Sequence, residues 1–448
     1  MTELDEIARA LLASAQAGDD VEVCVGRAVE TTVRVHGGEV ESLTVAESHG
    51  VGVRVVVGRR EGHAHAGSFD ADVVRDLVAE ARDNATFAQD DERVGLAVPD
   101  GVAAVPVDRW DVSVASTPVD DKIALAVALE AAVLAADARI RGVRASVYGD
   151  TSSEVVIRST TGIESHTTGT MASLSTSVLV DDVDGGTRTG GAVDAARGPV
   201  GLDVDKVAEL AVARGLQLLG AVTPTTGRPT VVFEPRFAAT ILGLVAGMLS
   251  GERVVKGRTP FADRVGDTVA AEILSLFDDA TDPDSLAAAA FDGEGLACRR
   301  VPLIGGGTLD GFLHDTRSAR GLGTTSTGSA LRSIRGGPSP GYRALHVAPG
   351  SGGLDDFIAG IDDGLLVASL QGLHSGVNAV SGDLSVGVEG VRIRNGALAE
   401  PIREGTLAGA IPRMLLDITA VGADREHQPG GSIVPSLVME GLTLGGGG

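Results

Sequence analysis

Runs of alternating apolar residues constrain this chain more than any other feature. Val21, Val23 and Val25 repeat with period two, as do Thr31, Val33 and Val35, and then Val51, Val53, Val55 and Val57. Side chains on a strand alternate between its two faces, so each run reads as a strand with one apolar face. Gly37 and Gly38 stand between the second and third runs and predict a tight hairpin turn, and Gly58 breaks the last run. Connections this short suit an antiparallel meander rather than parallel strands joined by crossover helices.

Around the meander the period changes to that of a helix. Leu4, Ile7, Ala8, Leu11 and Leu12 predict a helix over residues 3–15, and Val73, Val74, Leu77, Val78 and Ala81 predict another over 70–85. Residues 1–88 therefore read as an N-terminal α+β domain, a curved sheet with helices on one face. Residues 89–117 dissolve into Asp, Pro and Ser and read as a linker. Residues 118–222 repeat the helix–meander–helix order as a central α+β domain. Its elements are a helix over 119–138, strands over 145–148, 154–158, 162–165 and 172–180, a loop over 184–191, and a helix over 205–219 closed by Gly220. Residues 223–448 form a β-rich, glycine-rich C-terminal domain. It opens with a strand over 230–233 and a helix over 236–248. Short strands are expected at 301–303, 309–314, 345–348, 364–370, 384–388 and 391–394, with a short helix at 354–359. The fold class is α+β.

Composition excludes several functions. The formal net charge is −24 over 448 residues, which argues against nucleic acid or an anionic membrane as the main partner. No run approaches the roughly 20 apolar residues that span a bilayer. The start of the chain is acidic rather than a basic signal peptide. Cys24 and Cys298 make neither a disulfide framework nor a thiolate metal site. A cytoplasmic protein without nucleic-acid or membrane partners is expected.

The candidate chemistry is sparse. None of the 9 histidines is followed by glutamate, and no two share a helix face, so the chain offers no hydrolytic metal site of its own. His63 and His65 fall on one strand face without an obvious third ligand. Thr324, Thr325, Ser326 and Thr327 form a hydroxyl-rich loop that lacks the nucleophile-elbow pattern and reads as a surface for backbone or substrate amides. Asp292 and Glu294 stand two apart between glycines, and a structural turn is the favoured reading over acid/base work. Residues 371–395 concentrate glycines with His374, Asn378 and a buried-looking Asp383 in what reads as a strand pair. Extended-peptide binding by exposed main chain is the favoured role there. No catalytic residue and no metal ligand is assigned to this chain.

The order of motifs carries a resemblance. F-D-G-E-G from Phe291, G-T-L-D-G-F-L-H-D from Gly307, A-R-G-L-G-T-T-S-T-G from Ala319 and H-S-G-V-N-A-V-S-G-D-L-S from His374 are followed by R-N-G-A-L-A-E-P-I from Arg394 and T-L-A-G from Thr406. The collinear set resembles the TldD/PmbA family, and within it the PmbA (TldE) branch. Such membership implies pairing with a TldD-like subunit as a heterodimer in a zinc-dependent peptidase complex that acts on small, flexible or modified peptides. In the TldD branch a helical His-Glu-x-x-x-His motif and a distant cysteine hold the zinc. Here the corresponding helix reads F-E-P-R-F-A-A-T-I-L-G from Phe233, so zinc is expected in the partner and no cofactor in this chain. Two other readings stay open. One is a stand-alone peptide-binding or scaffold homodimer without hydrolytic activity. The other is autonomous hydrolysis by Asp292, Glu294 and His374.

Overall fold

The computed structural model describes residues 2–183 and 185–446. Helix α1 (Glu3–Leu12) is followed by strands β1 (Asp20–His36), β2 (Glu39–Val57) and β3 (Arg60–Ala66), and by helices α2 (Ala71–Val74) and α3 (Leu77–Phe87). After the short α4 (Ser113–Ser116) come helix α5 (Val119–Ala136), strands β4 (Ile140–Ser159), β5 (Glu164–Asp181) and β6 (Thr187–Ala196), and helix α6 (Val204–Leu216). The expected α+β meanders are present, but they are not two sheets. β1 pairs antiparallel with β4 from Glu22↔Ser159 to Val35↔Ser146, giving one six-stranded sheet in the order β3-β2-β1-β4-β5-β6. The two helix–meander–helix units are halves of this sheet, joined through their first strands.

All the flanking helices cover the same face. Val21, Val23 and Val25 of β1 enter a core with Leu4 and Ala8 of α1 and Leu77, Val78 and Ala81 of α3. Further along, Val33 and Val35 enter a second core with Ala126, Leu129 and Val133 of α5 and Val207 and Ala211 of α6. The odd-numbered residues of one strand thus feed two cores, as period-two alternation requires. The β1–β2 turn has Gly37 and Gly38 at φ 67° and 79°, the left-handed region that a primed hairpin turn demands.

Three expectations for the central segment change. The strands expected at 145–148 and 154–158 are parts of β4, and those at 162–165 and 172–180 merge in β5. The hydroxyl-rich stretches between them lack apolar alternation yet stay in register, with Gly149↔Ser173 and Ser153↔Gly169. The β4 stretch is held extended by β1 on one side and β5 on the other, and the β5 stretch by β4, where side-chain pattern alone would not. Asp184 lies outside the described residues, and from Thr187 onward the expected loop is strand β6. Helix α6 ends at Leu216 with Gln217 as its cap, three residues before Gly220.

The C-terminal domain begins with β7 (Thr230–Phe233), which runs parallel to the strand Asp363–Gln371 and antiparallel to Leu437–Met439 inside a seven-stranded sheet. Helix α7 (Pro235–Met248) follows with proline at its first position, where the missing N–H costs nothing. Ala238, Ile241, Leu242, Val245 and Ala246 recur at helical spacing and enter a core that also takes residues from both C-terminal sheets. The second of these sheets contains β8 (Leu276–Asp279) and β9 (Arg300–Gly305), preceded in the chain by helix α8 (Gly251–Val255). The strand expected over 309–314 is confined to Thr308–Leu309. Beyond it Leu313 makes only an isolated bridge to Ser250, its carbonyl accepting from Gly251 at 2.7 Å. The segments 384–388 and 391–394 form one bulged strand, Asp383–Arg394, paired with Ala397–Ala410.

The other face of the first sheet meets this domain. Ile334 sits against Gly26 and Gly50, and a Cβ on Gly52 would lie 2.1 Å from the Ile334 carbonyl oxygen. In the stretch between the N-terminal and central units, residues 91–100 are tied to the C-terminal domain. Arg320 donates to the Val94 and Leu96 carbonyls at 2.8 and 3.2 Å, Arg317 pairs with Asp91 at 2.6 Å, and Arg299 pairs with Asp100 at 2.6 Å. Replacing Gly52 by alanine forces the 332–334 loop off the sheet. The expected outcome is a loss of about 1–3 kcal/mol, the usual cost of overpacking, measured as a lower urea midpoint at unchanged slope.

Candidate functional site

The hydroxyl loop and the 371–383 stretch flank one segment of chain. Helix α9 (Thr316–Gly321) begins at a capping box in which Asp315 accepts from the Ser318 backbone at 2.8 Å, and the loop 323–328 follows it. Thr327 Oγ1 accepts from the His314 N–H at 2.8 Å, and Ser326 Oγ donates to the His314 carbonyl at 3.1 Å. Ser326 and Thr327 therefore hold the loop in place, while Thr324 and Thr325 remain exposed. Thr324 and Thr327 line an open groove of about 670 Å³ with Asp263, Val265, Pro302, Phe312, His314 and Leu322. Asp263 has a left-handed φ of 57°, uncommon for a residue with a side chain. Three residues back, Pro260 lies against Gly382.

The 371–395 stretch is a strand end, a one-turn helix and a second strand. Gln371 ends the strand Asp363–Gln371, and His374 lies in the turn of helix Leu373–Gly376 with its ring exposed. Asn378 Oδ1 accepts from Val380 at 2.9 Å and from Ser381 at 3.3 Å, so its side chain closes a local turn. Asp383 is exposed rather than buried, and it accepts from Ser381 Oγ at 2.6 Å. It begins its strand with its side chain on the solvent face, opposite to the buried Leu384.

Asp292 and Glu294 lie elsewhere, in the seam between the first sheet and the C-terminal domain. Both are buried. Asp292 accepts from the backbone N–H groups of Glu294, Leu296 and Ala330 at 2.9, 3.0 and 3.0 Å, so its carboxyl shapes the turn. Glu294 accepts from Thr316 N–H and Oγ1 at 2.8 and 2.7 Å and stands 4.0 Å from Arg54. Arg54 in turn lies 3.5 Å from Glu22, which takes a 2.5 Å bond from Arg332. This chain of buried charges was not singled out from the sequence. Its one trace there is that Glu22 and Arg54 interrupt valine runs at positions that face away from the helices.

Burial pushes the Glu294 carboxyl up to about 8, against the attraction of Arg54 and with the Asp292 charge adding to the push. Burial raises Asp292 to about 6 despite its three backbone donors. Glu294 bonds the Thr316 hydroxyl, but among the described residues no histidine, His374 included, is a hydrogen-bond partner of either carboxyl. A contact between a serine hydroxyl and a histidine ring joins Ser318 Oγ to His314 Nδ1 at 3.4 Å, but Ser318 is buried and bonds Asp315 at 2.6 Å as part of its cap. A nucleophile held there has no access to substrate.

A metal fares no better. Helix α7 reads P-R-F-A-A-T-I-L-G-L-V-A-G-M and contains no His, Cys, Asp or Glu, so its donor set does not fit zinc. His63 stands 3.3 Å from Glu61, with no third ligand beside them. Among the described residues no group of three or more His, Cys, Asp or Glu side chains is placed to hold an ion. No described helix is long and apolar enough to cross a membrane.

Three domain models of the PmbA/TldA metallopeptidases match the chain: domain 1 over residues 21–85, the central domain over 113–219 and the C-terminal domain over 226–446. The metalloprotease PmbA of Escherichia coli is 26% identical over 442 residues, covering 98% of this chain and 96% of that protein. A PmbA homologue of Haemophilus influenzae is 27% identical, covering 92% and 89%. A metalloprotease TldD homologue of Buchnera aphidicola is 28% identical over 259 residues, covering 54% and 53%. In three dimensions the chain is similar to TldE from Thermococcus kodakarensis, with a TM-score of 0.89 at 24% identity, covering 99% of this chain and 100% of that one. It is also similar to a putative modulator of a DNA gyrase from Thermotoga maritima, with a TM-score of 0.89 at 23% identity, covering 98% and 99%.

The carboxyl shifts make a prediction. Glu294 and Asp292 bind their protons more tightly in the folded protein than in the unfolded chain. Their contribution to stability is therefore complete below the unfolded values and is lost as the pH rises through about 6 and then about 8. Glu294→Gln removes the upper step. Melting temperature followed from pH 6.5 to 8.5 falls in the native protein and stays nearly flat in the variant, the single-site slope being at most about 1.4 kcal/mol per pH unit.

Proposed function

Because the chain belongs to the PmbA/TldD metallopeptidase family across all three of its domains, we propose that it is the non-catalytic subunit of a two-chain zinc peptidase. One observation carries this reading. Helix α7, which corresponds to the metal-binding helix of the TldD branch, presents an apolar face to the core and no metal donor anywhere along its length. Zinc and the hydrolytic step belong to a TldD-like partner, and this chain contributes a wall of the peptide cleft.

The groove between Val265, Phe312 and Leu322 supports the same reading, because it offers an apolar floor with few polar groups. An extended peptide there meets the exposed hydroxyl of Thr324, and we extend the contact to the exposed Thr325 and His374. Ser326, Asn378 and Asp383 hold their loops in shape through local bonds, and Thr327 both lines the groove and accepts from the His314 N–H. Main-chain contacts suit substrates that are small and unfolded, for which no particular side chain must be recognised. The location implied is the cytoplasm.

Co-expression with a TldD-like chain, followed by zinc analysis and peptide cleavage by each chain and by the pair, tests the proposal. The isolated chain is expected to carry far less than one zinc and to leave peptides intact, while the pair binds zinc and cleaves. Stoichiometric zinc together with unassisted cleavage by this chain would overturn it. So would a stable dimer of this chain that ignores the TldD-like protein. Val265→Asp places a charge in the groove and is expected to lower kcat/KM of the pair about tenfold, equivalent to about 1.4 kcal/mol of lost apolar contact, at unchanged zinc content.

A further inference from the structure

The six-stranded sheet is open along part of one edge. β2 pairs with β1 along nearly its whole length, but β3 reaches only Val51 to Val57. Residues Glu39 to His49 have no strand on their outer side among the described residues, and all of them are exposed. At about 3.4 Å per residue this is a row of outward N–H and C=O groups nearly 40 Å long. Such a row is a template for another strand unless proline, lysine or a bulge blunts it. The stretch E-V-E-S-L-T-V-A-E-S-H contains no proline and no lysine, and its register shift lies at the hairpin end, opposite Arg34 and Val35.

Its side chains are sorted by face. Val40, Leu43 and Val45 stand opposite Val35, Val33 and Thr31, so they share the face that carries the helices. Val33 and Val35 are fully buried beneath α5, whereas Val40, Leu43 and Val45 are 41%, 45% and 58% exposed. The helical layer stops one strand short of the edge. Ser42, Thr44, Ala46 and Ser48 occupy the other face.

The edge is also held ready. Glu130 of α5, itself buried, accepts from the Gly37 and Gly38 N–H groups at 2.9 and 2.6 Å, and His36 Nδ1 lies 3.0 Å from the Val143 carbonyl. The turn that leads into β2 is thereby fixed to a helix and to β4. An incoming strand finds its template formed and has little ordering left to do.

Charge selects the occupant. Glu39, Glu41 and Glu47 lie along the edge with no Lys or Arg between Glu39 and His49, and Arg34 reaches in to pair with Glu41. Pairing the edge with a second copy of itself sets these acidic residues into one strip. A strand bearing Lys or Arg with apolar residues at alternate positions meets them favourably.

We propose that Glu39 to His49 is the docking edge for a β-strand of a non-identical, Lys/Arg-bearing subunit, which extends the sheet across the boundary between chains. This rests on the reading of the chain as one subunit of a two-chain peptidase and places the contact within it.

Hydrogen exchange of the full chain, alone and in complex with the co-expressed TldD-like subunit, tests the edge. Alternate amides between residues 39 and 49 are expected to exchange at least tenfold more slowly in the complex. The double variant Leu43→Asp, Val45→Asp changes only exposed side chains, and its melting temperature is measured beside the native one. It is expected to raise the dissociation constant at least tenfold by analytical ultracentrifugation, and added salt is expected to weaken the native pair. If the chains associate while 39–49 exchange as fast as in the free protein, the edge proposal is overturned and the two-chain reading stands. If they do not associate at all, both fall. Protection of 39–49 in a dimer of this chain alone overturns the assignment to a non-identical strand.

Discussion

A line of buried charge joins the two halves of this molecule. Glu22 and Arg54 point from the sheet's inner face toward Arg332 and Glu294 of the C-terminal domain, and all four side chains are nearly inaccessible. Arg54 and Arg332 are tolerated there because both meet Glu22, while Glu294, whose carboxyl burial pushes up to about 8, is held by its bonds from Thr316. That pairing fixes how the sheet can sit on the domain. A rotation or slip of one against the other leaves a buried arginine or carboxylate uncompensated. The surrounding contacts follow from this placement: Ile334 in its glycine dish, the arginines that tie down residues 91–100, and Asp292 bracing the turn beneath Glu294.

The same seam explains why the first two domains behave as one layer. With its helices all on one side, the six-stranded sheet has its opposite side free to receive the C-terminal domain. The symmetry is that of the sequence, in which helix, meander and helix occur twice. The antiparallel β1–β4 pair turns that repetition into a single surface, which meets the C-terminal domain through Glu22, Gly26, Gly50 and Gly52.

Much of the fold was legible because it depends on local periodicity. The valine runs, the Gly37–Gly38 turn and the stripe of α1 appear where alternation or helical spacing puts them, and helices α5 and α7 lie within the stretches expected to be helical. The long strands β4 and β5 were broken up in the sequence reading because their middles are Ser, Thr and Gly, which carry no alternation. They are strands because their neighbours are. The candidate loops were legible as loops, but the division of labour within them was not. Which hydroxyls face solvent and which clamp His314 depends on a chain segment ten or more residues away. Asp383 was misjudged for the same reason. A strand's first residue can face either way, and the pairing with Ala397–Ala410 decides.

The sequence by itself determined the α+β class, the repeated unit, and the absence of metal donors from helix α7, since these rest on residue identity and on spacing within single elements. Tertiary structure alone decided that two meanders share a sheet, that the turn carboxylates Asp292 and Glu294 are buried in the seam, and that the edge at residues 39–49 has no outer strand among the described residues. Each of these depends on contacts between residues far apart in the chain, here Glu22 with Arg332 and Gly37 with Glu130. Local pattern chooses an element's type and its apolar face. Only the assembled chain decides what covers the other face, and that covering sets the burial, the charge state and the free surface on which function depends.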